Sequence, residues 1–263
     1  MPNVRDITSD NVTEPRFTVL NWNKSGTGKT CLLGTFDDPM YVFDFDGRIQ
    51  VLATTGKNID YDYYSSADPN SYTRASAKLE ELLKLRPFPY KTVGWDTLDS
   101  FASAVMEYTM PYAKSFYKIH RPGDGTVEVP VMQDYQVAGR YIVKTVRRLL
   151  LLPCNIVMNV HESSDKDEIT LRTFFDIDCP GKGPRTTIPG LFNEVWRSEV
   201  DVQAKAGRLE TVYRVRTRPD NLYSARTCYP NALDVLEVPD FQVIKAKIMR
   251  HLREVAAKNS TKQ

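Results

Sequence analysis

Lys29 and Thr30 close the run Asn23-Lys24-Ser25-Gly26-Thr27-Gly28-Lys29-Thr30, and residues of those types at that spacing can hold a polyphosphate. The run matches G-x-x-x-x-G-K-S/T everywhere except the first position, where Asn23 replaces Gly. Such a loop turns its backbone N–H groups inward onto phosphate oxygens, and the positive end of the following helix adds to the attraction. Gly26 and Gly28 permit the close approach, while Asn23 is the substitute that best tolerates left-handed backbone angles. Lys29 would reach the β- and γ-phosphates and the Thr30 hydroxyl would ligate Mg²⁺. Asn23 to Cys31 is therefore the expected binding set for ATP.

Phosphoryl chemistry also needs carboxylates. Lys91-Thr92-Val93-Gly94-Trp95-Asp96 is a short apolar strand ending in an acid, so Asp96 is the expected partner of Thr30 in the magnesium shell, partly through water. As Asp is also a good helix cap, the alternative is a cap for the helix that follows. Tyr41 to Arg48 offers Asp44 and Asp46 at another strand end. Asp46 is the first choice to orient and deprotonate water, with Asp44 second; a solvated acidic strand end is the alternative. Asn159 or His161, at the tip of Asn155 to Val160, could sense the γ-phosphate.

These residues need elements that aim them. Phe17 to Leu20 reads as a buried strand entering the loop, with helix signals from Lys29 to Leu33. Strands follow at Met40 to Phe45, Lys91 to Trp95 and Asn155 to Val160. Helical spacing covers Ala75, Leu79, Leu82 and Leu83, stopped by Pro87 and Pro89, and then Phe101, Val105 and Tyr108. A longer helix spans Met132 to Leu152, with Tyr135, Ala138, Tyr141, Ile142 and Leu149 as its expected buried face. Residues 121–125 and 178–190 read as loops by their Pro and Gly content, the second a mobile one. Val200 to Ala225 reads as paired strands, and the last helix buries Phe241, Ile244, Ile248, Leu252 and Val255. Alternating strands and helices predict an α/β fold with a mainly parallel central sheet flanked by helices and antiparallel strands near the C-terminal part. The expected division is a loose arm over 1–15, a core over 16–240 and a basic amphipathic helix and tail over 241–263.

Composition sets the frame. The 263 residues are 41% hydrophobic and 26% charged, with 13 Gly and 16 Pro, which excludes disordered and collagen-like classes. With 35 Lys/Arg against 33 Asp/Glu, the formal charge is +2, so any nucleic-acid binding must come from local patches. Cys31, Cys154, Cys179 and Cys228 lie far apart, which argues against a zinc site or a disulfide scaffold. Residues 1–14 lack a signal-peptide core and Leu149 to Val160 is too short to span a bilayer. A cytoplasmic protein with no membrane partner is expected.

The order of phosphate loop, acid-bearing strand, second acidic strand, polar-tipped strand and Gly/Pro loop resembles the RecA/RadA core. It looks most like phage-encoded RecA-like P-loop ATPases of the single-strand annealing recombination type, which would place it in a host cell's cytoplasm. The likeness rests on Ser25 to Thr30, Phe43 to Gly47, Trp95-Asp96-Thr97, Met132 to Tyr135, Val160-His161-Glu162 and Ile188 to Phe192. It implies that Asp46 stands where the family carries its acidic base, usually Glu, and that His161 couples γ-phosphate to a DNA-contacting loop. That loop would be Cys179 to Pro189, with Lys182 and Arg185 as its cations. The resemblance further implies a homo-oligomer, filament or ring, in which Arg216 and Arg218 act on a neighbour's γ-phosphate, with Arg226 competing.

Residue types alone add weaker pointers. Arg214, Arg216 and Arg218 alternate, which on one strand puts three like charges on one face; a solvated face would look the same. Residues 182–226 hold nine Lys/Arg against five Asp/Glu. Tyr112, Phe116, Tyr117, Lys118 and Arg121 interleave aromatics with cations as single-strand stacking sites do, making Lys118 and Arg121 further DNA candidates. The expected function is a DNA-dependent ATPase that binds single-stranded DNA in recombination, with a single-strand-binding protein as a natural partner. The alternatives are a P-loop kinase, with Gly181 to Arg185 as its lid, and a non-hydrolysing ATP-binding scaffold.

Overall fold

The computed structural model describes residues 14–110, 117–121, 125–166, 173–205 and 208–260. β1 (Thr18–Trp22) runs into the phosphate loop and the short helix α1 (Lys29–Leu33). β2 (Met40–Asp44) is followed by a 3₁₀ segment (Ile49–Thr55) and β3 (Ile59–Tyr63). Next come α2 (Ser71–Lys84), β4 (Thr92–Asp96) and α3 (Leu98–Thr109). A hairpin of β5 (Tyr117–Arg121) and β6 (Gly125–Val129) leads to α4 (Met132–Leu149) and β7 (Asn155–Val160). After a second hairpin, β8 (Glu162–Lys166) and β9 (Thr173–Ile177), stand α5 (Lys182–Thr187) and a 3₁₀ turn (Pro189–Leu191). β10 (Glu194–Lys205), β11 (Arg208–Arg216), β12 (Leu236–Glu237) and α6 (Phe241–Ser260) complete the described chain.

Eight strands form one sheet in the order β12-β11-β10-β1-β7-β4-β2-β3. From β10 to β3 every pairing is parallel, while β11 and β12 add antiparallel edges. This is the expected α/β class. The central strands are apolar almost throughout because both faces are covered. Alternation sorts them: Leu20, Trp22, Tyr41 and Phe43 join the α2, α3 and α4 layer, while Val19, Met40 and Val42 join the α1 and α6 layer. On the second face, Phe241 stacks on Phe36 with ring centroids 3.8 Å apart. Burying that one ring is worth about 2–3 kcal/mol, so α6 is packed into the core.

Several expectations need correction. Residues 178–190 are not a loose loop: α5 forms there, Cys179 and Ile188 are fully buried, and Pro184 seats on α4. A Cβ on Gly139 would come within 2.8 Å of Pro184, so only glycine lets this contact form. On α4, Ala138, Ile142 and Leu149 are buried as expected, but Tyr135 and Tyr141 are exposed. The buried stripe instead includes Asp134, whose carboxylate caps the helix by accepting the Val131 N–H at 2.7 Å. Likewise Val255 is exposed and Ala256 takes its place on the buried face. The paired strands begin at Glu194 rather than Val200 and end at Arg216. Tyr112, Phe116 and most of the 1–15 arm lie outside the described residues, as do 122–124 of the expected 121–125 loop. No described helix is long and apolar enough to cross a membrane.

Candidate functional site

All the parallel strands end on one edge, and the chemistry-bearing residues of the sequence converge there, as is usual for open α/β sheets. A cavity of about 490 Å³ is lined by Ser25, Gly26, Gly28, Lys29, Thr30 and Cys31 from the loop and α1. Asp46 comes from the turn after β2, Asp96 and Thr97 from the end of β4, and His161 from the end of β7. Gly26 and Gly28 have φ of +80° and +84°, values that side chains resist. The Lys29 ammonium donates to the carbonyls of Asn23 and Lys24, each at 2.8 Å, which fixes it across the loop. Burial pushes its pKa down to about 8, against the pull of Asp96, Asp99 and Asp46.

Thr30 Oγ1 donates to Asp96 Oδ2 at 2.7 Å, so hydroxyl and carboxylate already share one small space. The Asp96 Oδ1 accepts from Asn159 Nδ2 at 3.2 Å. Burial pushes the Asp96 carboxyl up, the Thr30 and Asn159 hydrogen bonds oppose that, and Asp46 and Asp44 add to it. Thus a buried cation and a buried anion are both driven toward neutrality. A nucleoside triphosphate with its divalent cation brings the complementary charges, so the donor set fits Mg²⁺·ATP.

The two acids after β2 divide their work. Asp44 is spent on the turn: Oδ1 accepts the N–H groups of Asp46, Gly47 and Arg48, and Oδ2 that of Ile49. Asp46 is the one that faces the cavity, its Oδ1 accepting from Thr97 Oγ1 at 3.1 Å and from the Ser100 hydroxyl. His161 Nδ1 lies 2.8 Å from Asp99 Oδ2, and the His161 backbone N–H donates to Oδ1 at 3.0 Å. Although burial would raise it, the Asp99 carboxyl is held below its usual range by those His161 contacts. An ionised Asp99 makes Nδ1 the donor and leaves Nε2 as the other ring atom able to meet a ligand.

Sequence reasoning passed over several members of this site. Asp99 stands three residues after Asp96, in the first turn of α3, a nearness that could have flagged it. Arg48 lines the cavity and donates to Ser25 Oγ at 3.0 Å. Tyr213 covers the loop so closely that a Cβ on Gly28 would meet its ring at 3.2 Å. Below the cavity a buried polar row crosses the sheet: Asp96 to Asn159, Asn159 to Asn21 at 3.1 Å, and Asn21 to Ser198 at 2.8 Å. Asn23 ties into that row by donating to the Ser198 carbonyl, and its Oδ1 accepts from Arg197 at 3.1 Å. Side-chain bonding thus gives a second reason for Asn at the first loop position. Arg197 itself is buried, paired with Glu162 at 2.8 Å and stacked on the Tyr223 ring at 3.5 Å.

Other expected residues lie elsewhere. Asn23, Lys24 and Thr27 face a second hollow of about 570 Å³ that also takes in Arg214 and Arg216. Arg216 pairs with Glu199 and Asp220, and the Glu199 hydrogen bond raises its pKa. Arg218 lies beyond the end of β11 and donates to the Pro230 and Leu233 carbonyls, so the three arginines do not share one strand face. Arg226 donates to the Pro189 and Phe192 carbonyls. Arg185, expected on a mobile DNA loop, pairs with Asp165 at 2.6 Å and bonds the Cys179 carbonyl. Lys182 is exposed on α5, and Lys118 and Arg121 stand in β5. Gly181 to Arg185 lines no part of the nucleotide cavity, so it is not placed as a kinase lid.

No curated protein matches the chain. The solved structure of a KaiC-like protein from the hyperthermophilic archaeon Pyrococcus horikoshii is similar over 86% of this chain and 88% of that one, at 13% identity and a TM-score of 0.42. The sequence pattern of the AAA domain matches residues 16–229, from the start of β1 past the β10–β11 hairpin, and the chain belongs to that family of P-loop ATPase domains.

Proposed function

We propose that this protein is a DNA-dependent ATPase that binds single-stranded DNA and acts in homologous recombination or annealing as a head-to-tail oligomer. The observation that carries the hydrolytic reading is the convergence of Lys29, Thr30, Asp96, Asp46 and His161 on one cavity. Lys29 and the loop N–H groups hold the phosphates. Thr30 and Asp96 would hold Mg²⁺, which supplies charge neutralisation to the bridging and leaving oxygens. Asp46, fixed by Thr97 and Ser100, accepts the proton of the attacking water. Asp46 is shorter than Glu, and its hydrogen bonds from Thr97 and Ser100 fix where its carboxylate points. The Asp99–His161 pair sits at the root of the β8–β9 hairpin, where a γ-phosphate contact can be relayed out of the cavity. Arg216 and Arg218 are the candidates to act in trans, each exchanging its present partners for a neighbour's phosphate.

The test is steady-state ATP hydrolysis with and without single-stranded DNA, wild type beside Lys29→Ala. Stimulation by DNA that vanishes in the variant is the expected result. Rates indifferent to DNA would refute the recombination reading and leave a plain ATPase.

A further inference from the structure

A second groove, of about 860 Å³, runs between the outer face of α4 and α5. Arg140, Lys144 and Arg147 line it at intervals of four and three residues, so they stand in one row along α4. At 1.5 Å of rise per residue the row is about 10 Å long. Lys182 faces it from α5. All four are exposed, and none of their side chains has an ion-pair or hydrogen-bond partner among the described residues. A fifth cation, Arg148, is already neutralised by Glu80. No acidic residue lines the groove. Four uncompensated charges gathered here exceed the +2 of the entire chain, so they are not a sample of a generally basic surface.

The same groove carries apolar groups that a charged face would not need. Met132 is 72% exposed, Leu151 is 67% exposed, and Tyr135 presents its ring beside them. An unpaired strand offers both phosphates for the cations and bare base faces for Tyr135 and the flanking methyls. A duplex keeps its bases stacked inside, and an acidic peptide does not pair a flat face with every charge as an unpaired strand does. We propose that the α4–α5 groove is the track for single-stranded nucleic acid, with Arg140, Lys144, Arg147 and Lys182 on the phosphates and Tyr135 stacking on a base. This rests on the reading of the protein as a single-strand binder; it keeps Lys182 of the expected loop and places the rest of the contact on the outer face of α4.

The experiment uses fluorescence anisotropy of a labelled oligothymidylate against the full chain over a range of salt. Three proteins are compared: wild type, the triple Arg140→Gln/Lys144→Gln/Arg147→Gln, and a control triple on α6, Arg250→Gln/Arg253→Gln/Lys258→Gln, with the same change in net charge. Gln keeps helix propensity, and nucleotide binding reports that each variant is folded. Losing three phosphate contacts lowers the salt slope by about 2 and weakens binding about 50-fold at 0.15 M salt. The control triple is expected to change binding less than threefold. Tyr135→Ala is expected to weaken binding about tenfold with the salt slope unchanged. Wild-type protein that binds the oligonucleotide while the groove triple binds equally well overturns the groove alone. Equal losses in both triples overturn it too, by showing general charge attraction. A wild type that binds no oligonucleotide overturns the single-strand reading together with the groove. If polyglutamate binds the wild type, and the triple loses polyglutamate but keeps DNA, the groove is a dock for acidic protein instead.

Discussion

The nucleotide cavity and the α4–α5 groove both attract anions, yet they are built in opposite ways. In the cavity every charge has a partner: Lys29 on two carbonyls, Asp96 between Thr30 and Asn159, Asp99 on His161. Along the groove Arg140, Lys144, Arg147 and Lys182 are exposed, and their side chains are unpaired among the described residues. Buried, cross-braced groups hold distances to fractions of an ångström, which phosphoryl transfer demands. Exposed, unpaired cations have no fixed geometry, which suits a ligand recognised by charge and reach rather than by sequence. Position in the fold follows from this. The cavity sits where the ends of β1, β2, β4 and β7 meet, whereas the groove sits on helix surfaces that can tolerate freely moving side chains.

Substitutions should separate the two regions. Lys29→Ala is expected to have the largest effect, a fall in ATP turnover of about 10³-fold, because it removes the cation aimed at the transferring phosphate. The salt dependence of oligonucleotide binding measured without nucleotide should be unchanged. A parallel change in both would show that the regions are not distinct. Asp99→Asn comes next, with a loss of about 10- to 100-fold in turnover. The pH–rate profile should also change shape, since His161 loses the anion that orients its ring. A uniform drop with an unchanged profile would mean that Asp99 only supports folding.

The pH dependence of nucleotide affinity is a smaller effect. With Lys29 titrating near 8 and phosphate favouring its charged form, binding above pH 8 must take up a proton. Affinity should therefore be flat below pH 8 and fall up to tenfold between pH 8 and 9, as read by titration calorimetry in two buffers of different ionisation enthalpy. Lys29→Arg, which stays charged, should flatten the curve. The smallest effect is expected at the mouth: Tyr213→Ala should raise the nucleotide Kd about fivefold with turnover nearly unchanged, because the ring covers the loop without touching the reacting end.

How much of this was legible in the sequence varies with how local the signal is. The loop from Ser25 to Thr30 and the acids at strand ends could be read because a strand, a tight turn and a helix start are set by neighbours in the chain. Asp46 could not be separated from Asp44 that way, as the choice depends on which carboxylate the turn consumes. Tyr213 reaches the cavity from β11, far along the chain, and Arg48 meets Ser25 only where two turns pack together, which one sequence does not reveal. β3 hid behind its polar alternation, Ile-Asp-Tyr-Asp-Tyr, which an edge strand tolerates and a loop also shows. The Pro and Gly content of residues 178–190 suggested mobility. In the fold, Pro184 is the residue that packs, and the Gly at 139 on the opposite helix makes room for it. Aromatic type misled on α4: Tyr135 and Tyr141 look like core residues, but the 3.6-residue period favours Asp134, Ala138 and Ile142.

The central claim is that the cavity is an ATP-hydrolysing centre in which Asp46 handles the attacking water, and single-turnover hydrolysis by Asp46→Asn tests it most directly. Nucleotide affinity should stay within a few-fold of wild type while the hydrolysis rate falls about 10²-fold or more. Hydrolysis at a wild-type rate with affinity intact would contradict the account and return the base to another group.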